Sequence, residues 1–425
     1  MRDWVQVSVS FRSLLPMSAG LLANYCVLEL ASVLAGPSVG QFFAEHGATV
    51  WKVENPRTNG DVTRRWRVPR EAPSDPPESH DDRSAYFCAC NHGKQSIALN
   101  LSDADGQALL HDLVRRVDVV LASFRPGTAR ILGADYETLS SIRPSLLYGH
   151  ITGYGPDHPR AGYDAVVQAE TGFMHMNGAA DGPPTKLPVA LMDVLAAHQL
   201  KEGLLLALLR RERTGEGAYV PVSLEHAAVS ALANQATNWL VGRHAPQRMG
   251  SGHPNIMPYG TAYATAEGTP VVLAVGTDAQ FDALCDVLGL NALSRDARFS
   301  TNAARVNHRE TLHSLLADAI AAVSAPSLME ALHERNVPAG IVRGIPAVFE
   351  HPGPKEMILS PDEGPSGLQQ TATPAFAPVE DLLPPPRYAA HTDVVLHDQL
   401  GVSGRRLQAL EDAGTIARRA SFYSF

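Results

Sequence analysis

Three aspartates, Asp164, Asp181 and Asp193, stand around a single turn region rich in glycine and proline. The middle one lies in Asn177-Gly178-Ala179-Ala180-Asp181-Gly182-Pro183-Pro184-Thr185-Lys186. Small neighbours there leave room around the carboxylate and let another backbone come close, and a reactive carboxylate needs that access. Asp164, before Ala165-Val166-Val167, reads as a helix cap. Asp193 follows the apolar stretch 187–192 and precedes a helical pattern with Leu200, Leu204 and Leu208 on one face, so it too reads as a cap. Taken alone, Asp-Gly-Pro-Pro is an ordinary turn. A second feature, Gly250-Ser251-Gly252-His253, supplies backbone N–H groups of the kind a developing oxyanion needs. His253 suits a bond to its own loop as well as it suits substrate contact.

The elements that must hold these residues alternate. Residues 27–30 read as a strand, 36–46 as a helix and 49–53 as a second strand, a βαβ opening. Strands at 96–101, 119–122 and 146–151 follow, with helices at 105–117 and 136–142. The pattern predicts an α/β fold: a Rossmann-like parallel sheet with helices on both faces, binding ligands at the carboxyl ends of its strands. Those ends carry residues 32–35, Asn55, 123–124 and 152–155. Gly36 and Gly40 do not form Gly-x-Gly-x-x-Gly, which argues against a nicotinamide dinucleotide enzyme, although a helix starting after Ala35 can still meet a nucleotide phosphate.

Beyond Gly217 the alternation stops. A helix over 224–240, a hairpin of 259–264 with 271–275, and helices at 278–288, 309–323 and 327–335 predict a smaller α+β domain. The chain then returns through a proline-rich stretch, 361–386, of a kind that wraps over another surface. The expected plan is an N-terminal extension at 1–20, a large ligand-binding domain at 21–220, a linker helix and small domain at 221–340, and a return segment at 341–425 completing the large domain. Met17 reads as a natural start.

Composition narrows the class. At 425 residues the chain exceeds a single core of roughly 250–300 residues, and 45% hydrophobic with 19% charged residues is ordinary for a globular enzyme. A net charge of −9 argues against a nucleic-acid surface. No apolar run reaches the roughly 18 residues of a membrane span. Cys26, Cys88, Cys90 and Cys285 are too few for a disulfide framework, which suits the cytoplasm. Cys88-Ala89-Cys90 reads as two small residues of a buried strand, and no metal site is expected.

Val27-Leu28-Glu29-Leu30, Leu34-Ala35-Gly36-Pro37, Lys52-Val53-Glu54-Asn55-Pro56, Gly60-Asp61-Val62-Thr63-Arg64 and Thr152-Gly153-Tyr154-Gly155 occur in that order. From about Cys26 onward the chain thereby resembles the family III CoA-transferases, which include formyl-CoA transferase, carnitine-linked CoA-transferase and the α-methylacyl-CoA racemases. The resemblance implies Asp181 as nucleophile, since Gly178 to Pro184 matches the transferases' Gly-x-x-Asp-Gly-Pro-Pro segment. CoA contacts are implied at Leu34, Ala35, Leu99, Phe124, Thr152, Tyr154 and Gly155. Asn55 and Ile131 stand where formyl-CoA transferase has basic residues for the adenosine phosphates, leaving Arg64, Arg125 or Arg130 to supply charge. Gly252 and His253 are implied substrate contacts, with Ser251 and His253 departing from a purer glycine run.

The same resemblance implies an interlocked homodimer, with Pro384-Pro385-Pro386-Arg387 and His391-Thr392-Asp393 matching the family's terminal segment. It implies no permanently bound cofactor: the CoA thioester is itself a substrate, together with a small carboxylic acid. In look the chain is nearest to members that move CoA from succinyl-CoA to a dicarboxylate, whose distal carboxylate would need a cation from Arg64, Lys186, Arg248 or His253. Two alternatives stay open. One is a 2-methylacyl-CoA racemase using Asp193, against which stands Tyr163 where the racemases carry histidine. The other is a catalytically silent acyl-CoA-binding protein.

Overall fold

A computed structural model describes residues 20–71, 81–371 and 382–419. The expected extension at 1–20 lies outside the described residues save for Gly20. Two compact units emerge. Of the described residues, the larger gathers those up to 163, 191–227 and those from 357 onward; the smaller holds 164–190 and 228–356.

Six parallel strands build the larger unit: β1 (Cys26–Leu30), β2 (Thr49–Glu54), β3 (Lys94–Leu99), β4 (Val119–Ala122), β5 (Leu147–Thr152) and β6 (Ala218–Ser223). Their order across the sheet is β3-β2-β1-β4-β5-β6, and Ile416–Ala417 pairs antiparallel on the outer edge of β3. The order reverses between β1 and β4, the point at which open α/β sheets bind ligands. β4 and β5 are buried along their whole length, as expected of strands covered on both faces. The sequence reading did not include β6. It lies at the sheet edge, carries Pro221 and exposes alternate residues, so its apolar signal is weak.

Side chains alternate across the sheet with period two. Leu28, Leu30, Trp51, Ile97 and Leu99 point into one core, where they meet Leu110, Leu113 and Leu139 from helices Ala104–Val114 and Tyr136–Ile142 and Leu396 and Leu410 from the returning chain. Glu29, Lys52, Glu54, Lys94 and Ser96 occupy the opposite register, and all five are at most 3% exposed. Helix α1 (Ala35–Glu45) packs on this face and against the long helix Leu191–Thr214. Gly40 is required for that approach, because a Cβ there would stand 1.9 Å from Glu29 Oε2.

The smaller unit has its own core. β7 (Tyr259–Ala264), β8 (Pro270–Ala274) and β9 (Ala339–Ile341) form an antiparallel sheet. Phe281, Leu284, Leu312, Leu316, Leu328 and Leu332 from helices Asp278–Val287, Arg309–Ile320 and Ala325–Glu334 pack with it.

Two local expectations need correction. The helix expected over 224–240 is two helices, Leu224–Ser230 and Ala233–Leu240. The amides of Ala231 and Leu232 turn back to Ala228 and Val229, and Ala233 takes φ +46°, a one-residue reversal that apolar periodicity does not register. Cys88 ends a short helix, Ala85–Cys88, rather than sitting in a strand, and both it and Cys90 are buried. Among the described residues no single helix is long and apolar enough to cross a membrane, and no cluster of three or more His, Cys, Asp or Glu side chains could hold a metal.

In an exposed helix Gly40→Ala would stabilise by about 1 kcal/mol. Here the added methyl must displace Glu29 from its cations, so urea unfolding should show a net loss of about 1–3 kcal/mol.

Candidate active site

The carboxyl ends of β1, β2 and β3 and the start of the chain after β4 enclose a cleft of about 440 Å³ in the larger unit. Leu30, Ala31 and Ser32 form one side, Glu54, Asn55, Thr58 and Asp61 another, and Leu99, Leu101, Phe124 and Leu132 give an apolar wall. Asn55, Leu99 and Phe124 thus line it. Asn55 spends its side-chain oxygen on the Arg57 amide, capping a short turn. Leu34 and Ala35 begin α1 just past the lining residue Ser32, and Thr152, Tyr154 and Gly155 lie at and after the end of β5; none of these five lines the cleft.

Of the arginines considered for phosphate charge, Arg64 is unavailable. Its Nε and Nη2 each donate to Glu54 at 2.7 Å, and its guanidinium lies 3.8 Å from the Phe87 ring centroid. Arg125 and Arg130 line a separate hollow of about 430 Å³ with Tyr136, His150 and Tyr219. Ile131 is exposed at the end of the short helix Thr128–Ile131. A cation that sequence reasoning missed, Arg65, stands at the cleft, donating to the Thr58 carbonyl at 2.6 Å and carrying no carboxylate partner among the described residues. Its signal was faint: one exposed arginine following a motif residue.

Beneath the cleft runs a buried ion network. Lys52 Nζ donates to Glu29 at 2.9 Å, to the Ala31 carbonyl at 3.1 Å and lies 2.9 Å from Asp61. Lys94 meets the other Glu29 oxygen at 2.7 Å. Glu54 takes Arg64, the Ser96 hydroxyl at 2.6 Å and the Asp61 amide at 2.8 Å. Glu29, Glu54 and Asp61 balance Lys52, Lys94 and Arg64, so no net charge is buried. Burial alone would raise the carboxyl groups of Glu54 and Asp61, but Arg64 and Lys52 respectively outweigh it and hold both below the ordinary range. Lys94 is pulled down by burial, with nearby Lys52 adding to it.

Asp181 lies in the smaller unit, third in a β-turn closed by the Gly182 amide on the Ala179 carbonyl at 3.0 Å. A wider loop is tied at its base: Thr185 N–H donates to Asn177 O at 3.1 Å, and Asn177 Nδ2 to Thr185 O at 2.8 Å. The carboxylate is exposed and makes no hydrogen bond or ion pair to the described residues. Arg248 clamps the turn, with Nε on Gly182 O at 3.1 Å and Nη1 on His175 O at 2.9 Å. The Gly250 amide donates to Gly178 O at 3.0 Å, so the structure joins the glycine loop to the Asp181 segment.

That loop is less free than its composition implies. Amides of Gly250, Gly252 and His253 are already bonded to Gly178, Met249 and Tyr259 carbonyls, leaving Ser251 N–H without a partner among the described residues. The His253 ring accepts from the Asn255 amide at 3.1 Å, and Arg309 holds the His253 carbonyl at 2.8 Å. Asp164 opens the helix Asp164–Glu170 and accepts from Gln168, while Asp193 sits inside the first turn of Leu191–Thr214 rather than capping it.

Comparison with known proteins decides the family, for the model of CoA-transferase family III matches residues 22–392. The chain belongs to CoA-transferase family III. This transferase is 39% identical over 334 residues to the succinate–glutarate CoA-transferase of Agrobacterium fabrum, covering 78% of the chain and 82% of that protein. It is 34% identical to the succinyl-CoA:mesaconate CoA-transferase of Haloarcula marismortui, covering 86% and 92%. A solved CAIB/BAIF family protein from Brucella suis superposes with a TM-score of 0.78 at 36% identity, covering 90% of this chain and all of that one.

The ion network gives the transferase a defined acid sensitivity. Glu54 and Asp61 titrate lower folded than unfolded, so their contribution is complete above the unfolded carboxyl range near pH 4 and is lost as pH falls through their depressed values. Arg64→Met should cost about 3–5 kcal/mol at neutral pH by stranding Glu54. Because protonation relieves the stranded carboxyl, the deficit should narrow as pH falls, and the acid limb of a Tm-against-pH curve should be shallower than in the unaltered protein.

Proposed function

We propose that this enzyme moves CoA from an acyl-CoA, with succinyl-CoA as donor, to a short dicarboxylic acid through covalent intermediates on Asp181. The observation that carries the reading is the exposed Asp181 carboxylate on a turn clamped by Arg248 and tied to the glycine loop. The relatives named for glutarate and mesaconate support a dicarboxylate acceptor.

The chemistry follows from the carboxylate. Asp181 attacks the thioester carbonyl, and collapse of the tetrahedral adduct gives a mixed anhydride and CoA thiolate. Thiolate attack at the aspartyl carbonyl releases the donor acid and leaves an aspartyl-CoA thioester. The acceptor carboxylate opens that thioester to a second anhydride and frees the thiolate, which then takes the acceptor's acyl group and restores Asp181. Each step makes an oxyanion, for which Ser251 N–H is the loop donor not already engaged. The cleft lined by Leu99, Leu101 and Phe124 suits the adenine and pantetheine of CoA, with Arg65 for its phosphates.

For the acceptor's distal carboxylate, Arg248 is the fitting cation. Its hydrogen-bond partners among the described residues are neutral carbonyls, so its charge remains available, whereas Arg64 is paired with Glu54 and Lys186 lies 3.9 Å from Asp164. An interlocked homodimer in the cytoplasm completes the proposal, and four free cysteines suit a reducing compartment.

Asp181→Asn should abolish formation of new thioesters from succinyl-CoA and glutarate, followed by mass spectrometry, and should trap no aspartyl-CoA adduct. Equal turnover by both proteins would remove Asp181 from the mechanism. Arg248→Met should raise KM for a dicarboxylate acceptor about tenfold or more while changing a monocarboxylate of equal length far less. A parallel loss on both acceptors would reduce Arg248 to its clamping role.

A further inference from the structure

Val33 is a β-branched residue at φ +74°, a left-handed conformation that such side chains rarely adopt. It stands between Ser32, which lines the cleft, and α1. Both of its backbone polar groups are held. Its N–H points at the Asp61 carboxylate, 3.3 and 3.4 Å from the two oxygens, and its carbonyl accepts from the Cys90 thiol at 3.5 Å. The preceding amide, of Ser32, donates to Ser123 Oγ at 3.3 Å.

Asp61 is itself immobilised. Lys52 lies 2.9 Å from Oδ2, the Thr63 amide and hydroxyl donate to Oδ1 at 3.0 and 2.8 Å, and the Asp61 amide is tied to Glu54. The carboxylate is 1% exposed, yet Asp61 and Lys52 both contribute to the cleft lining. Strain of this kind persists only where its surroundings impose it, and it concentrates at functional sites. A glycine at position 33 would hold the same backbone without cost, so the valine is tolerable only because the clamp is there.

Resting on the reading of this cleft as the acyl-CoA site, we infer that Asp61 is a positioning residue: by gripping the Val33 amide it holds the Ser32–Val33 backbone in the shape that the CoA thioester binds. Lys52 fixes Asp61 in turn. Neither residue takes part in bond making.

Calorimetric titration of CoA and succinyl-CoA into the full-length protein tests this, with Tm recorded beside each Kd. Asp61→Asn turns an amide N–H toward Lys52 or Val33 in place of an acceptor and should weaken both ligands about tenfold, the scale of one hydrogen bond to a charged group. Adding Val33→Gly to Asp61→Asn should recover most of that loss, because glycine keeps positive φ unaided. Thr63→Val is nearly isosteric and removes only one donor to Asp61. It should weaken CoA a few-fold, again with recovery on Val33→Gly, and it carries the same test if Asp61→Asn does not fold. A purely structural role would lower Tm and leave Kd of the folded protein unchanged, or show no recovery with glycine, and either result overturns the inference. Failure of the unaltered protein to bind CoA would overturn the cleft assignment and the inference together, whereas normal binding with an unaffected Asp61→Asn would overturn the inference alone.

Discussion

Three carboxylates and three cations are sealed between one face of the parallel sheet and the chain packed on it, and the shape of the larger unit follows from keeping them paired. Glu29, Lys52, Glu54 and Lys94 share that face because strand side chains alternate. Removing one partner would strand a charge away from water, a far greater cost than the pair's net contribution. Gly40 lets α1 lie over Glu29, Gly60 lets the chain pass within 2.4 Å of Glu54 at the position a Cβ would take, and Arg64 reaches back to Glu54 while bonding the Pro386 carbonyl of the returning chain. The network thereby links elements distant in sequence without an apolar contact among its charged atoms.

The network also shapes the chemistry above it. Asp61 lies at its edge, where Oδ2 stands 2.9 Å from Lys52 and 3.3 Å from the Val33 amide, so the ion network and the cleft backbone meet at one carboxylate. The smaller unit holds the segment of the candidate nucleophile differently. Asp181 is left exposed while hydrogen bonds to backbone carbonyls fix its loop: Arg248 on two of them, Gly250 on Gly178, Asn177 with Thr185. A rigid support beneath an unencumbered carboxylate is what a nucleophile requires.

Much of the fold was legible because its signals are local. Strands near residues 27–30, 49–53 and 119–122 and the helix over 136–142 declare themselves by apolar runs and periodicity, and the structure places them within a residue or two. β6 escaped because an edge strand carrying a proline is half exposed, and the break near Ala233 escaped because one residue's φ leaves no trace in composition. The site divides similarly. Asp181 was marked by its small neighbours, whereas Arg65 had nothing to distinguish it from any surface arginine, and Arg64, considered for phosphate, is wholly engaged with Glu54.

By itself the sequence determined the alternating architecture, the family and the segment bearing the candidate nucleophile, since each is written in residues adjacent along the chain. Only the tertiary structure decided which charges are spent and which are free. Whether Arg64 meets Glu54 or a phosphate, whether the glycine-loop amides point outward or bond one another, and whether Asp61 holds Lys52 alone or also Val33 depend on groups brought together from distant positions. Pairing energies fall steeply with distance and with exposure to water, so such choices exist only once the chain has folded and excluded it.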